Sequence, residues 1–207
     1  QSSIIIPFPE SDSLYYVFTV DGAENHLQNG LRYSIVDMSL DSGMGDVIET
    51  EKNILLENPV SEKLTAVLNS NEEDVWLIAH KWNSNEFVVY GITAAGIDSI
   101  PIVSALGSIH QGGFSTGSWV NGWTNSAGYM KVSMDGERLA LAIYRADVVE
   151  VFDFNKITGV ISNCISSGPV FPNVYGVEFS PNQSKLYITQ PDEGLLRQID
   201  LSLPNPF

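Results

Sequence analysis

The 207-residue sequence predicts an all-β fold: a β-propeller of WD40/YVTN-like type with about four four-stranded blades. Three observations predict it. A strand–turn–strand pattern recurs four times. Runs rich in Val, Ile, Tyr and Phe either alternate with polar residues or are wholly apolar, as half-buried and buried strands do. No long window carries the apolar spacing of a helix. The clearest copy of the pattern is Ser133-Met134-Asp135-Gly136-Glu137-Arg138 leading into Leu139-Ala140-Leu141-Ala142. Ser180-Pro181-Asn182-Gln183-Ser184-Lys185 before Leu186-Tyr187-Ile188 repeats it. So do Pro9-Glu10-Ser11-Asp12-Ser13 before Leu14-Tyr15-Tyr16-Val17 and residues 69–74 before Val75-Trp76-Leu77.

Pro9, Ser70, Met134 and Pro181 are equivalent positions in these copies. The interval from Met134 to Pro181 fits a blade repeat of about 40–50 residues, and the two earlier intervals are longer by insertions. The first unit has strands over 3–7, 14–20, 31–38 and 53–56. The polar stretch 21–30 interrupts it as a loop. The second has strands over 63–68, 74–81, 86–93 and 100–106, the third over 128–132, 138–144, 148–155 and 160–165. The fourth has 174–180, 185–190 and 195–201 and then stops, because Pro204 and Pro206 lack the N–H a ladder needs. The expected organisation is one domain over 1–207. Its blades are near 1–60, 61–107, 127–170 and 171–202, with a Gly-, Ser- and Trp-rich loop insertion at 107–127. The last blade is one strand short, which predicts a fragment of a larger propeller, since an open sheet edge invites pairing.

Acids outnumber bases 25 to 10, a net charge of −15. Nucleic-acid binding is excluded as a leading function, because phosphate contacts need Lys and Arg. The acidity fits a secreted surface protein and attracts divalent cations. Cys164 is the single cysteine, so no internal disulfide forms, and a buried, inert thiol is expected there. No apolar run is long enough for a membrane-spanning helix. Gln1 opens directly onto a strand pattern with no signal peptide ahead of it, which predicts a mature or clipped N-terminus.

Gln1-Ser2-Ser3-Ile4-Ile5-Ile6-Pro7 with Leu14-Tyr15-Tyr16-Val17-Phe18-Thr19-Val20-Asp21 is more specific than a generic blade. Gly30-Leu31-Arg32-Tyr33-Ser34-Ile35-Val36-Asp37-Met38, Trp76-Leu77-Ile78-Ala79-His80-Lys81-Trp82-Asn83 and Val149-Glu150-Val151-Phe152-Asp153-Phe154 continue the pattern. Together they resemble the N-terminal β-propeller region of Bacteroidota surface proteins exported by the type IX secretion system and linked to gliding motility. Members of that group carry a further N-terminal blade and a C-terminal sorting domain, and this sequence has neither. The resemblance implies export to the outer-membrane surface or exterior of a Gram-negative bacterium, through regions not present here, and a role in adhesion or gliding. It supplies no catalytic residues. Asp12-Ser13-Leu14 and Asp98-Ser99-Ile100 resemble the short O-glycosylation rule of these bacteria, which marks Ser13 and Ser99 as weak candidates.

The best binding candidates lie in the insertion. Trp119 and Trp123, with His110, are placed to contact a glycan or a protein partner, or the two indoles fold back over a blade edge. Gly113-Phe114-Ser115-Thr116-Gly117 matches a nucleophile elbow but lacks the strand before it and the helix after it. His26, His80 and His110 are scattered with no zinc spacing, and His80 is expected to hydrogen-bond within the fold. No metal or other cofactor is expected. Calcium has no specific motif, since Asp135 and the 41–46 stretch read as turns. The expectation is therefore a non-catalytic surface or secreted binding module, not an enzyme. The alternative is a propeller enzyme, lactonase- or glycan-lyase-like, with a tunnel-mouth site completed by missing residues. An intracellular WD scaffold is disfavoured because the Gly-His and Trp-Asp signatures are absent.

Overall fold

A computed structural model describes residues 2–114 and 121–207. These form four antiparallel sheets and no α-helix, only short 3-10 turns. Sheet 1 contains β1 (Ser3–Pro7), β2 (Leu14–Val20), β3 (Leu31–Asp37), β4 (Asp46–Val47) and β5 (Ile54–Glu57). Sheet 2 contains β6 (Val60–Leu68), β7 (Val75–Lys81), β8 (Ser84–Thr93), β9 (Gly96–Ile97) and β10 (Ile102–His110). Sheet 3 contains β11 (Met130–Val132), β12 (Arg138–Ile143), β13 (Val148–Phe154) and β14 (Ile161–Ser166). Sheet 4 has three strands, β15 (Val177–Phe179), β16 (Lys185–Gln190) and β17 (Leu195–Asp200). Sheets 3 and 4 are meanders in which successive strands pair, and sheets 1 and 2 are the same meander with a two-residue strand added beside it, so that β5 pairs with β3 past β4 and β10 pairs with β8 past β9; the meander is the pattern of a propeller blade.

The recurring sequence motif is the first hairpin turn of each sheet. Ser133 N–H donates to Arg138 O at 2.9 Å, and Ser180 N–H to Lys185 O at 2.9 Å. The Ser133 hydroxyl donates to Asp135 Oδ1 (2.6 Å) and accepts from Arg138 N–H (2.9 Å). Ser180, Asn182 and Lys185 repeat this wiring at 2.8 and 3.0 Å. Asn69 N–H donates to Asp74 O in the second sheet, and Phe8 N–H to Leu14 O in the first. Side-chain oxygens thus satisfy turn amides that have no ladder partner, so these sequence letters repeat.

Three apolar cores lie between consecutive sheets. Tyr16, Phe18, Val20 and Leu31 of sheet 1 pack on Leu64, Leu77, Ala79 and Tyr90 of sheet 2. The other face of sheet 2, with Trp76, Ile78, Phe87 and Val89, packs on Leu139, Leu141, Ile143 and Phe152 of sheet 3. Ala140, Ala142, Val149 and Val151 then meet Val177, Phe179, Leu186 and Ile188 of sheet 4. Sheets 2 and 3 are covered on both faces, which is why β7, β12 and much of β13 read as unbroken apolar runs. Sheets 1 and 4 are covered on one face. β2 alternates accordingly, and outward residues such as Ile5 (65% exposed) and Leu196 (68%) are left in the open.

Several strands differ from the sequence reading. Sheets 1 and 2 have five strands rather than four, because the two-residue strands β4 and β9 are added, and β15 spans only Val177–Phe179. β6 begins at Val60, ahead of Lys63, and slips register between Val60 and Leu64 through a bulge. β10 continues to His110 by a second register shift after Ala105. Residues 107–110, expected as loop, therefore close the outer strand of sheet 2. Truncating a side chain in the middle core should cost more than one on an open flank. Phe152→Ala is expected to lose about 3–5 kcal/mol in urea unfolding and Ile5→Ala less than about 1 kcal/mol. Equal losses would contradict the packing described.

Candidate functional site

The first strands of the four sheets lie side by side, with contacts β1 to β6, β6 to β11 and β11 to β15. They all begin at one end, where Ser3 faces Thr19, Val60 faces Lys81, Met130 faces Leu141 and Val177 faces Ile188. The second turn of each sheet returns to this same end, at residues 21–30, 82–83, 144–147 and 191–194. We call it the mouth. The recurring Ser/Asn turns all lie at the opposite end.

The bulge in β6 gives the adjacent residues Glu62 and Lys63 different surroundings. Lys63 is fully buried. Its ammonium donates to Ser126 O (2.8 Å), Ala127 O (2.9 Å) and Asn125 O (3.4 Å), the carbonyls that end the short 3-10 turn Thr124–Ser126. Burial pushes the ammonium down to about 7, opposed by the Glu62 and Glu150 carboxylates. Three donors meet three carbonyls, so Lys63 fastens the chain 124–127 across the inner strands. Gly128 follows with φ +113, and a Cβ there would lie 2.2 Å from Ala142 O, so only glycine passes this point. Glu62 is half-buried, and its Oε1 accepts from Ala23 N–H (2.7 Å) and the Ser126 hydroxyl (3.1 Å). One carboxylate thereby joins the 21–30 turn of sheet 1 to the cap over sheet 2.

Aromatic stacking supports the cap from outside. Trp123 lies between His26 (centroids 5.2 Å apart) and Trp82 (5.6 Å), both stacked on it. Deeper in, His80 and His110 stack at 3.5 Å, and His80 meets the edge of Phe87. His80 Nδ1 is 2.8 Å from Lys81 O. Both imidazoles are held neutral. Burial, then the Lys63 charge, pushes His80 down to about 3, and burial with His80 and Lys63 holds His110 well below the usual histidine range. Glu150, also buried, accepts from the Ser108 hydroxyl (2.7 Å) and amide (3.1 Å).

Tyr175 stands at the inner mouth. Its ring meets Tyr129 (5.5 Å) and Tyr144 (5.7 Å) edge-on. Burial raises its phenol, and the Glu62 and Glu24 carboxylates raise it further. The Tyr144 hydroxyl donates to Asp192 Oδ2 (3.2 Å). The Arg145 guanidinium lies 4.4 Å over the Tyr144 ring, 3.6 Å from Asp192 Oδ2, and also donates to Asn173 Oδ1. Residues from all four sheets therefore converge on one patch of phenols and carboxylates. A protonated phenol can donate to a developing oxyanion, and a positioned carboxylate can take a proton.

The sequence candidates fall as follows. Trp119 and Ser115 lie outside the described residues. Trp123 is half-buried in the stack just described, and His110 is fully buried at the end of β10, away from any partner surface. Ser13 sits in the first turn of sheet 1 and Ser99 in an exposed bend before β10. Cys164, expected buried, is an exposed residue of edge strand β14. Its thiol lies against Glu150 and is pushed up to about 12 by desolvation and that carboxylate, which keeps it un-ionised. Asp135 accepts within its own turn. Among the described residues no group of three or more His, Cys, Asp or Glu side chains is placed to hold a metal ion. Sequence reasoning missed Glu62, Tyr129, Tyr144 and Tyr175. The one available signal was a Glu-Lys pair set inside the otherwise apolar run of β6.

No family model matches the chain, and no curated protein matches it by sequence. Solved structures do match by fold. The periplasmic gluconolactonase of Pseudomonas aeruginosa aligns with 97% of this chain and 50% of its own at 13% identity, TM-score 0.64. A Bacteroides fragilis protein provisionally assigned as a 6-phosphogluconolactonase aligns with 97% of this chain and 50% of its own at 12% identity, TM-score 0.61. A Bacteroides uniformis protein with the same provisional assignment aligns with 99% and 51% at 12% identity, TM-score 0.56. At this identity the likeness establishes the propeller fold. The chain spans about half the length of these structures. The comparisons correct the expectation of a non-catalytic binding module that is no enzyme. The neighbours are lactonases or assigned as such, which favours the enzyme alternative.

The buried cap makes a pH-dependent contribution of known sign. Unfolded Lys63 titrates near 10.5 and folded Lys63 near 7, so the unfolded chain binds more protons in that window and stability rises with pH across it. The two histidines act on the other side, since the unfolded chain takes up their protons as pH falls below about 6.5. Relative to wild type, Lys63→Met is expected to flatten the rise above pH 7. His110→Phe should flatten the acid fall. Each changes the slope by up to about 1.4 kcal/mol per pH unit in urea unfolding from about pH 5 to pH 10. Unchanged slopes would mean that these groups are solvated.

Proposed function

We propose that this chain is part of a ring-shaped propeller lactonase whose reacting groups lie at the mouth. In this reading the four sheets are YVTN-like blades of a larger ring, the fourth lacking its outer strand, and further blades supply the opposite wall. Two findings support the ring: the chain spans half of each lactonase-type neighbour, and the outer faces of sheets 1 and 4 are uncovered. The observation that carries the chemistry is the cluster of Tyr175, Tyr129 and Tyr144 rings at the same mouth as the Glu62 carboxylate, which Ala23 N–H and the Ser126 hydroxyl hold in place.

Lactone hydrolysis adds water across an acyl C–O bond. Glu62 takes a proton from water as the water oxygen attacks the lactone carbonyl. Its position is fixed by Ala23 N–H and the Ser126 hydroxyl. The carbonyl oxygen becomes an oxyanion and accepts a hydrogen bond from Tyr175, whose raised phenol stays protonated at neutral pH. The ring C–O bond breaks, the ring oxygen takes the proton held by Glu62, and an open-chain hydroxy acid leaves. Lys63 takes no part as a nucleophile, because it is buried and donates to three carbonyls. Cys164 takes none because its thiol stays protonated.

The test is hydrolysis of D-glucono-1,5-lactone by the full-length ring protein that contains this chain, measured above the spontaneous rate. Glu62→Gln is expected to lower kcat/KM by about 10²–10⁴-fold and Tyr175→Phe by about 10²-fold. Both variants should unfold at wild-type denaturant concentrations to within about 1 kcal/mol of stability. Wild-type turnover no faster than buffer would end the lactonase reading. Full activity in Glu62→Gln would move the base elsewhere.

A further inference from the structure

We infer that the mouth selects an uncharged sugar lactone and turns away its phosphorylated counterpart; the inference rests on the lactonase reading above. Its basis is the charge that the fold delivers to this end. The inner strands β1, β6, β11 and β15 carry two cations, Lys63 and Lys131, and the four turns facing them carry one, Arg145. Lys63 is buried against three carbonyls. Lys131 pairs with Glu178 at 3.7 Å. Arg145 is held by Asn173, Asp192 and the Tyr144 ring. Next to those turns, Lys81 faces Val60 and pairs with Glu86 at 3.2 Å, and Arg32 donates to the Asn29 and Asn53 carbonyls. A phosphate needs a cation or a row of amides turned toward it, and these cations already have partners.

The acids at this end outnumber the cations. Glu62 and Glu178 stand on the inner strands, and the turns add Asp21, Glu24, Asp147, Asp192 and Glu193. The described residues of the connections into β6, β11 and β15, at 58–59, 111–114, 121–129 and 167–176, add no charged residue of either sign. The field that this chain contributes to the mouth is therefore negative, within a chain of net charge −15. A phosphate near neutral pH carries close to two negative charges and is repelled. An uncharged aldonolactone meets no such barrier. It is offered Tyr129 and Tyr175, rings suited to packing on a sugar with a polar handle for its hydroxyls.

The experiment compares kcat/KM for D-glucono-1,5-lactone and for its 6-phosphate, at low salt and at about 0.5 M NaCl, in wild type and Glu24→Lys. A Debye length near 30 Å at about 0.01 M shrinks to a few ångström toward 1 M, so an electrostatic preference must weaken with salt. The expected result is at least about a tenfold preference for the neutral lactone at low salt. Added salt and Glu24→Lys should each narrow it. Equal or better turnover of the phosphorylated lactone overturns the inference and leaves the lactonase reading standing. So does a preference that neither salt nor Glu24→Lys alters, because the discrimination would then come from shape. Turnover of neither substrate ends the lactonase reading and this inference with it.

Discussion

Packing of sheet face on sheet face is the constraint on which the rest of this structure depends. A meander of three to five short strands cannot bury its own apolar side chains. It must lie against another sheet. Sheet 2 illustrates this. Leu77, Ala79 and Tyr90 face one neighbour while Trp76, Ile78 and Phe87 face the other. The two sides differ in size. The face of sheet 3 toward sheet 2 carries Leu139, Leu141 and Phe152, and its face toward sheet 4 carries Ala140, Ala142 and Val149. Each buried Leu, Ile or Phe contributes about 1.5–3 kcal/mol. That is enough to hold these strands in register without disulfides.

That packing also explains how a charged residue came to be buried. The bulge in β6 turns Lys63 toward sheet 3, where an isolated ammonium would be costly. The carbonyls of 125–127 offset that cost, and in doing so they pin a long connection over the inner strands. Glu62, one residue earlier, fastens the same cap to the 21–30 turn. Breaking either contact releases more than one hydrogen bond. Trp123, Trp82 and His26 would lose the fixed geometry of their stack. The cap is therefore a structural device, and it also sets where the Glu62 carboxylate points.

Most of the fold was legible in the sequence because both of its causes leave marks there. Burial on two faces writes Val-Trp-Leu-Ile-Ala in β7 and Leu-Ala-Leu-Ala-Ile in β12. The first turn of each sheet writes Ser or Asn with a nearby Asp or Asn. The register shifts left no such marks. Gly107-Ser108-Ile109-His110 reads as loop, yet it closes the outer edge of sheet 2. The two-residue strands β4 and β9 are too short for any periodicity. The candidate site was the least legible part. Glu62, Tyr129, Tyr144 and Tyr175 stand at strand ends far apart in the chain, and each is an ordinary residue in its own window. Only the meeting of first strands and second turns brings them together. The Trp-rich insertion, by contrast, advertised itself in composition, and its Trp123 serves packing.

The two ends of the sheets have therefore diverged under different demands. At the repeat-turn end each turn has only to reverse the chain, and one economical wiring recurs across the sheets. At the mouth every connection differs: a long polar turn in sheet 1, two residues in sheet 2, and a 3-10 turn in each of sheets 3 and 4. Carboxylates and phenols gather where the connections are irregular, next to the bulge that sets Glu62 and Lys63 apart in β6. A rigid meander with variable loops at one end lets a site be altered without disturbing the cores that hold it. The acid-rich mouth with its engaged cations follows the same division. Its charge is carried by turn residues and two inner-strand acids, none of which contributes to an inter-sheet core. Substrate preference and stability can then change independently, because different atoms determine each.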